Sequence, residues 1–310
     1  RNWFYALLAM SVKMTGQAPF KTLLGYALVH DERGEEMHKS KGNSIQFDEA
    51  AELIGAEPMR FIYASQPTST NLNFPDIRKQ DGTKTLFDEV ALRKIMTFWN
   101  CYKFFTTYAE IENWSPKADA PAPESRDLLD RWILSRLESL VADAKRHIEG
   151  YQVYRFMDQL EKFNDELSNW YLRRSRARFW GTEPDASKEA AFHTLYEVLK
   201  TQITLFAPML PFLAEEVWQS LVRAAEPDAA QSVHLADYPQ AREGRIDRKL
   251  EDRMALAIQA ALLLRGDSQT VAEGFCAGRL RQRDHFQFGN LPDDVDCAAI
   301  IERATPNVED

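Results

Sequence analysis

With 310 residues, 38 basic against 47 acidic side chains and a net charge of −9, the chain has room for two or three sizeable cores and lacks the charge of a protein that binds nucleic acid over its whole surface. Any such contact must use a local basic patch. Three cysteines (Cys101, Cys276, Cys297) with no Cys-x-x-Cys pair argue against a disulfide framework or a zinc knuckle and fit a reducing, cytoplasmic setting, and no apolar run is long enough to span a membrane.

The chain starts at Arg1, without an initiator methionine or a signal peptide, inside what already reads as a helix, and is expected to be a fragment. Trp3, Phe4, Leu7, Leu8 and Ser11 lie at helical spacing ahead of a Gly16-Gln17-Ala18-Pro19 break. The apolar run at residues 23–29 suits a short, buried parallel strand. A loop at 31–43 follows, whose core is Met37-His38-Lys39-Ser40-Lys41-Gly42-Asn43. Two lysines, a serine and a Gly-Asn pair make a cationic arm suited to a nucleotide triphosphate, because lysine brings a flexible point charge and exposed backbone N–H groups add to it. Helix, strand and phosphate-type loop would form the closing edge of a nucleotide-binding α/β domain, with the ligand beyond the carboxyl end of the strand. Residues 47–54 and 58–64 read as two short helices split at Gly55.

From Lys84 onward the pattern changes to long amphipathic helices. Leu86, Val90, Ile95, Phe98 and Tyr102 begin the first, and a Pro/Ala-rich linker covers 114–123. The second carries Leu129, Ile133, Leu137 and Leu140, with Ser125 placed as N-cap and Gly150 as the left-handed residue past its end. Phe156, Leu160, Phe163, Leu167 and Trp170 mark the third. Leu195, Leu199, Ile203 and Phe206 mark the fourth, and Leu213, Val217 and Leu221 the fifth, after Pro211. Five such stripes can be buried only against one another, which predicts a helical bundle.

The third helix ends in Asn169-Trp170-Tyr171-Leu172-Arg173-Arg174-Ser175-Arg176-Ala177-Arg178-Phe179-Trp180. Four arginines and no acid within ten residues of an acidic chain form the local basic patch. Guanidinium groups match phosphate in a two-pronged way, and the interleaved aromatics offer faces to unpaired bases. The competing reading is a helix end whose cations complement the macrodipole. In both readings Trp170 and Trp180 are expected in the core.

These stretches carry a family resemblance. The loop resembles the Lys-Met-Ser-Lys-Ser signature of class I aminoacyl-tRNA synthetases. Aligned on Met37 and Gly42-Asn43, the family's first lysine falls on Glu36, its first serine on His38, its second lysine on Lys39 and its last serine on Ser40. Glu36 cannot replace the first lysine's charge. The Asn-Trp-Tyr, Arg-Arg-Ser-Arg-x-Arg-Phe-Trp stretch is similar to the helical anticodon-binding domain of the isoleucyl-tRNA synthetases. Three further stretches resemble the same family: Arg1-Asn2-Trp3-Phe4-Tyr5 at the start, Ala207-Pro208-Met209-Leu210-Pro211-Phe212 with Glu215-Glu216, and Ser232-Val233-His234-Leu235-Ala236-Asp237. The resemblance runs over residues 1–257.

It implies a mostly α protein: the end of a Rossmann-like α/β catalytic domain (1–45), a connecting stem-contact segment (46–83) and an α-helical bundle anticodon-binding domain (84–257). A tail of doubtful assignment (258–310) follows, disordered or frame-shifted. The implied activity is ATP-dependent joining of L-isoleucine to tRNA(Ile) through an enzyme-bound adenylate, with Lys39 as catalytic cation. Met37, His38, Lys39, Ser40 and Lys41 would bind ATP, Trp3 would wall the amino-acid pocket, and Arg173, Arg174, Arg176 and Arg178 would bind tRNA. Mg²⁺ would accompany ATP; no protein-bound zinc or other metal is expected, and the whole enzyme would be monomeric. The family's His-Ile-Gly-His signature and its editing domain are absent from these residues, so the fragment alone is expected to be inactive. The alternatives are a non-catalytic tRNA-binding remnant, a purely structural bundle, or a valyl- or leucyl-type synthetase.

Overall fold

The computed structural model describes residues 3–75, 77, 90–117, 119–181, 185–266, 268–281 and 295–304. The first helix, α1 (Trp3–Thr15), ends where Gly16 takes φ 74° and donates its N–H to Val12 O at 2.9 Å, a left-handed exit that suits glycine. An extended segment leads to β1 (Val29–His30), which pairs in parallel with β2 (Leu72–Asn73), Val29 opposite Leu72. Between the two strands lie the loop at 31–43, α2 (Phe47–Ile54) and α3 (Ala56–Ser65), with Gly55 at φ 82° making the sharp corner between the helices.

The bundle follows. A π-helical turn (Val90–Ile95) opens α4 (Met96–Ile111), and the part of this helix expected at 84–89 lies outside the described residues. Next come α5 (Leu128–Glu149) and α6 (Val153–Asp165), which continues through a second π-helical turn (Glu166–Leu172) into α7 (Arg173–Trp180). Then come α8 (Ala186–Phe206) and α9 (Pro211–Val217), extended by a third π-helical turn (Trp218–Arg223). Phe156, Leu160, Phe163 and Leu167 recur at helical spacing and are all buried. Each contributes roughly 1.5–3 kcal/mol by leaving water, which is why this stripe fixes the α6 face. Phe179 meets Phe104 and Phe192 edge-on at 5.2 and 4.9 Å, closing the core beneath α7.

The 232–247 segment is strapped across the bundle by ion pairs. Glu138, nearly buried in α5, accepts from the Arg242 N–H at 2.8 Å and its Nε at 2.6 Å, while Glu197 of α8 takes Arg242 Nη2 at 2.7 Å and Arg245 Nη1 at 2.5 Å. Beyond it lie α10 (Arg248–Leu264), α11 (Gln269–Phe275) and α12 (Cys297–Ala304). Residues 258–310 thus include helices. Gly274 sits where an added Cβ would lie 2.9 Å from Ile300 Cδ1, a close approach at which any larger residue would force Ile300 to move.

Several local expectations need correction. The run at 23–29 is regular strand only at Val29, and its side chains are exposed, Tyr26 at 81%. Burial of a parallel strand needs cover on both faces; among the described residues this run has one neighbour, reached through Ala27 N to Thr68 O and Leu72 N to Leu28 O. The apolar face of α1 is likewise exposed. Ser125 does not cap α5. It ends a short 3₁₀ turn (Pro123–Ser125), and Asp127 holds the N-cap position. At the far end Gly150 has φ −82° and Tyr151 is the left-handed residue, at 56°. Its N–H reaches Ile148 O and the Gln152 N–H reaches His147 O, the pair of bonds of a Schellman closure. Trp180 is 51% exposed and Trp170 half-buried, so neither is a core tryptophan.

Candidate nucleotide loop and nucleic-acid interface

Asn43 closes the 31–43 loop on itself. Its Oδ1 accepts the His38 N–H at 2.9 Å, and its Nδ2 donates to Asp31 Oδ2 at 2.8 Å and Glu36 O at 3.2 Å. Asp31 Oδ1 accepts in turn from the N–H groups of Arg33 and Glu35. The Asn43 hydrogen bond, then that of Glu35, holds the Asp31 carboxyl below the usual range. Met37 packs against the hydrophobic core and anchors the loop from below. What projects is a 3₁₀ turn, Lys39–Lys41, ended by Gly42 at φ 71°. Lys39, Ser40 and Lys41 are exposed, and among the described residues neither lysine has a carboxylate partner.

The two lysines are not equivalent. Lys41 and Arg33 line a hollow of about 320 Å³ together with Asp31, Glu32 and Glu35, whose three carboxylates outnumber the two cations and oppose a phosphate there. Lys39 stands outside it. Glu36, at the place of the resembled family's first lysine, has its carboxylate 3.4 Å from His38 Nε2. Asn43→Ala is therefore expected to free the turn at 38–42 while leaving the bundle intact. Hydrogen exchange of the His38 to Gly42 amides should rise with no change in the cooperative melt; unchanged exchange would show that Met37 alone holds the loop. The side chain of Trp3, the expected amino-acid contact, lies outside the described residues.

The arginine helix divides in two. Arg173, Arg174 and Arg176 are exposed, and among the described residues no carboxylate pairs with them. Aromatic rings brace two of them instead: Arg174 Cζ lies 4.6 Å from the Trp170 ring centre, and Arg176 Cζ lies 5.6 Å from Phe104 and 5.9 Å from Trp180. Cation–π contact of this kind is worth about 0.5–1 kcal/mol at exposed sites. It leaves the in-plane N–H donors open to phosphate oxygens.

Arg178 points the other way. Its Nη1 and Nη2 donate to Asp130 Oδ1 and Oδ2 at 2.9 and 2.7 Å, and its Nε donates to Ser187 Oγ at 2.9 Å. Asp130 is wholly buried and also accepts the Tyr171 hydroxyl at 2.7 Å. Burial works against the Arg178 charge, but Asp130 outweighs it and raises the pKa; burial, then Asp130, pushes the Tyr171 phenol well up. Arg178 therefore leaves the RNA-facing set: a two-pronged bond to a buried carboxylate leaves little of it for a ligand. Tyr171 and Arg178 are seven residues apart, hence on one helical face, and Asp130 stands on the apolar stripe of α5. That coincidence was the available signal in the sequence.

Two protein-family models match the chain. One, described as "tRNA synthetases class I (I, L, M and V)", covers residues 1–75, and one described as "Anticodon-binding domain of tRNA ligase" covers 130–270. Among curated proteins, the chain is 38% identical over 262 residues to an isoleucine–tRNA ligase of Dehalococcoides mccartyi, 37% over 267 to that of Thermus thermophilus and 40% over 261 to that of Thermobifida fusca. These alignments cover 84%, 86% and 83% of this chain; the chain spans about a quarter of each relative's length, 25%, 25% and 24%. Among solved structures, it superposes on the Agrobacterium radiobacter LeuRS of a ternary complex with tRNA and LeuAMS, with TM-score 0.52 and 17% identity, covering 77% of this chain and 27% of that one. It also superposes on Mycobacterium tuberculosis methionyl-tRNA synthetase, with TM-score 0.50 and 16% identity, covering 67% and 43%. At such identity the likeness is one of fold.

Proposed function

We propose that this chain, which belongs to the class I tRNA synthetases and is homologous to the isoleucine–tRNA ligases, supplies the ATP-phosphate loop and the anticodon-binding bundle of an enzyme that joins L-isoleucine to tRNA(Ile). The reading rests on one observation above all. A single chain carries both a projecting lysine turn without a carboxylate partner among the described residues and, on a separate bundle, three outward arginines, two of them braced by aromatic rings.

In such an enzyme the isoleucine carboxylate attacks the α-phosphorus of ATP, the bond from that phosphorus to the bridging oxygen breaks, and pyrophosphate leaves. A hydroxyl of the terminal tRNA ribose then attacks the adenylate's carbonyl carbon, the bond from that carbon to the phosphate oxygen breaks, and AMP leaves as the ester forms. No protein nucleophile is required; the protein's part is to position the reactants and offset charge on the departing pyrophosphate. Lys39 is the cation proposed for that role, with the Ser40 hydroxyl and Lys41 shaping the turn beside it, and Trp3 would, by the family resemblance, border the isoleucine pocket. Magnesium would travel on the phosphates; no group of three or more His, Cys, Asp or Glu side chains among the described residues could hold a metal ion.

The test is tRNA(Ile) binding by this chain across a salt series. Changing Arg174 and Arg176 to glutamine is expected to weaken binding and lower the slope of log K against log salt by about 1 per lost phosphate contact. The thermal midpoint should move little, because exposed charges contribute weakly. A tRNA with an altered anticodon should bind less well than the cognate one. An unchanged affinity and salt slope in a folded double variant would take these arginines out of the interface.

A further inference from the structure

The helix that follows the loop segment, α3, grips the bundle at a point far away in sequence. Glu57 and Arg60, one turn apart on α3, meet the corner at 207–211 between α8 and α9. Arg60 donates from Nε to Met209 O at 2.8 Å and from Nη2 to Pro208 O at 2.9 Å. Glu57 Oε1 accepts the N–H groups of Phe212 at 2.8 Å and Leu213 at 3.4 Å. Those groups open α9, whose own N-cap residue, Leu210, provides no side-chain cap and whose Pro211 has no N–H. A carboxylate at a helix start and a guanidinium on carbonyls past a helix end each satisfy groups that the helices leave unpaired.

The clamp is directional where the rest of the contact is not. Met59, Phe61 and Ile62 are buried in the common core, but apolar burial does not fix rotation about the contact. Glu57 is desolvated here, which raises its pKa, and its Oε2 is buried with no hydrogen-bond partner. The cost of that burial is accepted for the two bonds that Oε1 makes. The far end of α8 bears Ser187, which accepts from Arg178 next to the outward arginines. A 21-residue helix spans about 30 Å at 1.5 Å per residue. One strut thus joins the clamp to the arginine face, while α2 and α3 join it to the lysine turn.

We infer that Glu57 and Arg60 are positioning residues that set the angle between the loop-bearing segment and the bundle, so that Lys39 and the face of Arg173, Arg174 and Arg176 keep one fixed spacing. The value of that spacing rests on the reading that one tRNA synthetase uses both sites. The geometry can be tested without ATP or RNA, so failure of the clamp and failure of that reading are distinguishable.

The experiment places nitroxide labels, through encoded ketone side chains, at exposed Glu52 on α2 and exposed Asn169 in the bundle, and measures their separation by pulsed electron resonance in the 310-residue chain. A single narrow distance distribution is expected. The Glu57→Leu/Arg60→Met double variant should lose it, giving a broad or shifted distribution, while the cooperative melt of the bundle persists. Glu57→Gln, which keeps an acceptor for the Phe212 N–H and leaves Arg60 in place, should keep the narrow distribution. If the double variant fails to fold, Arg60→Met alone carries the same expectation. An unchanged narrow distribution in a folded Arg60→Met or double variant would overturn the inference and leave apolar packing as the sole determinant of the angle.

Discussion

Replacing Asp130 by alanine is expected to destabilise the chain by about 3–5 kcal/mol, the usual effect of removing one partner from a buried ion pair. The carboxylate accepts two bonds from Arg178 and one from Tyr171, and its loss leaves the guanidinium with only Ser187 and the half-exposed Asp127, and the phenol with only the Ala191 carbonyl at 3.4 Å. Tyr171→Phe removes one bond and should cost only roughly 1 kcal/mol. The Asp130→Ala/Arg178→Met pair should cost less than the sum of its single changes, because no orphaned charge remains. Urea unfolding followed by tryptophan fluorescence reads all three. An Asp130→Ala variant as stable as its parent would show that the network is dispensable. The network also has a pH signature. Burial, reinforced by Asp130, raises the folded-state pKa of Tyr171, so its contribution is intact below about pH 10, the free tyrosine value, and declines as pH rises beyond it.

In an isoleucine–tRNA ligase of the relatives' full length bearing this loop, Lys39→Ala is expected to raise the barrier to adenylate formation by about 2–4 kcal/mol, roughly 30- to 1,000-fold in rate. Isoleucine affinity should barely change, because the contact strengthens only as charge develops on the leaving group. Lys41→Ala should have a smaller effect, since Lys41 lines a hollow shared with Asp31, Glu32 and Glu35 and its field is partly cancelled. Single-turnover measurement of adenylate formation separates the two. Equal, small losses would mean that the turn is merely solvated.

The helices were legible because their signal is periodic: the stripe from Phe156 to Leu167 admits one buried face, and Gly55 divides α2 from α3 where expected. The loop was legible as an exposed cationic turn, since two lysines and a serine ending in Gly42 offer no apolar group to bury. What escaped the sequence was pairing across distance. Arg173, Arg174, Arg176 and Arg178 look alike in a list of residues, and only a carboxylate 48 positions away, Asp130, makes the last of them different. Glu57 and Arg60 read as solvated charges until their partners, about 150 residues on, come into view. The strand at 23–29 failed for a related reason. Hydrophobicity marks what can be buried, but cover depends on neighbours, and among the described residues the only strand paired with it meets its last residue.

The π-helical turn at Glu166–Leu172 gives this protein slack in chain length at one place and none beside it. A wide turn holds one more residue than the α-helix around it. Loss of one of its residues can therefore be absorbed by reversion to regular helix, with Arg178 still facing Asp130. The same loss in the regular helix that follows has no such outlet, and swings everything downstream by about 100°, the angle per residue at 3.6 residues per turn. A missing codon is tolerable on one side of Arg173 and reverses which arginines face inward on the other.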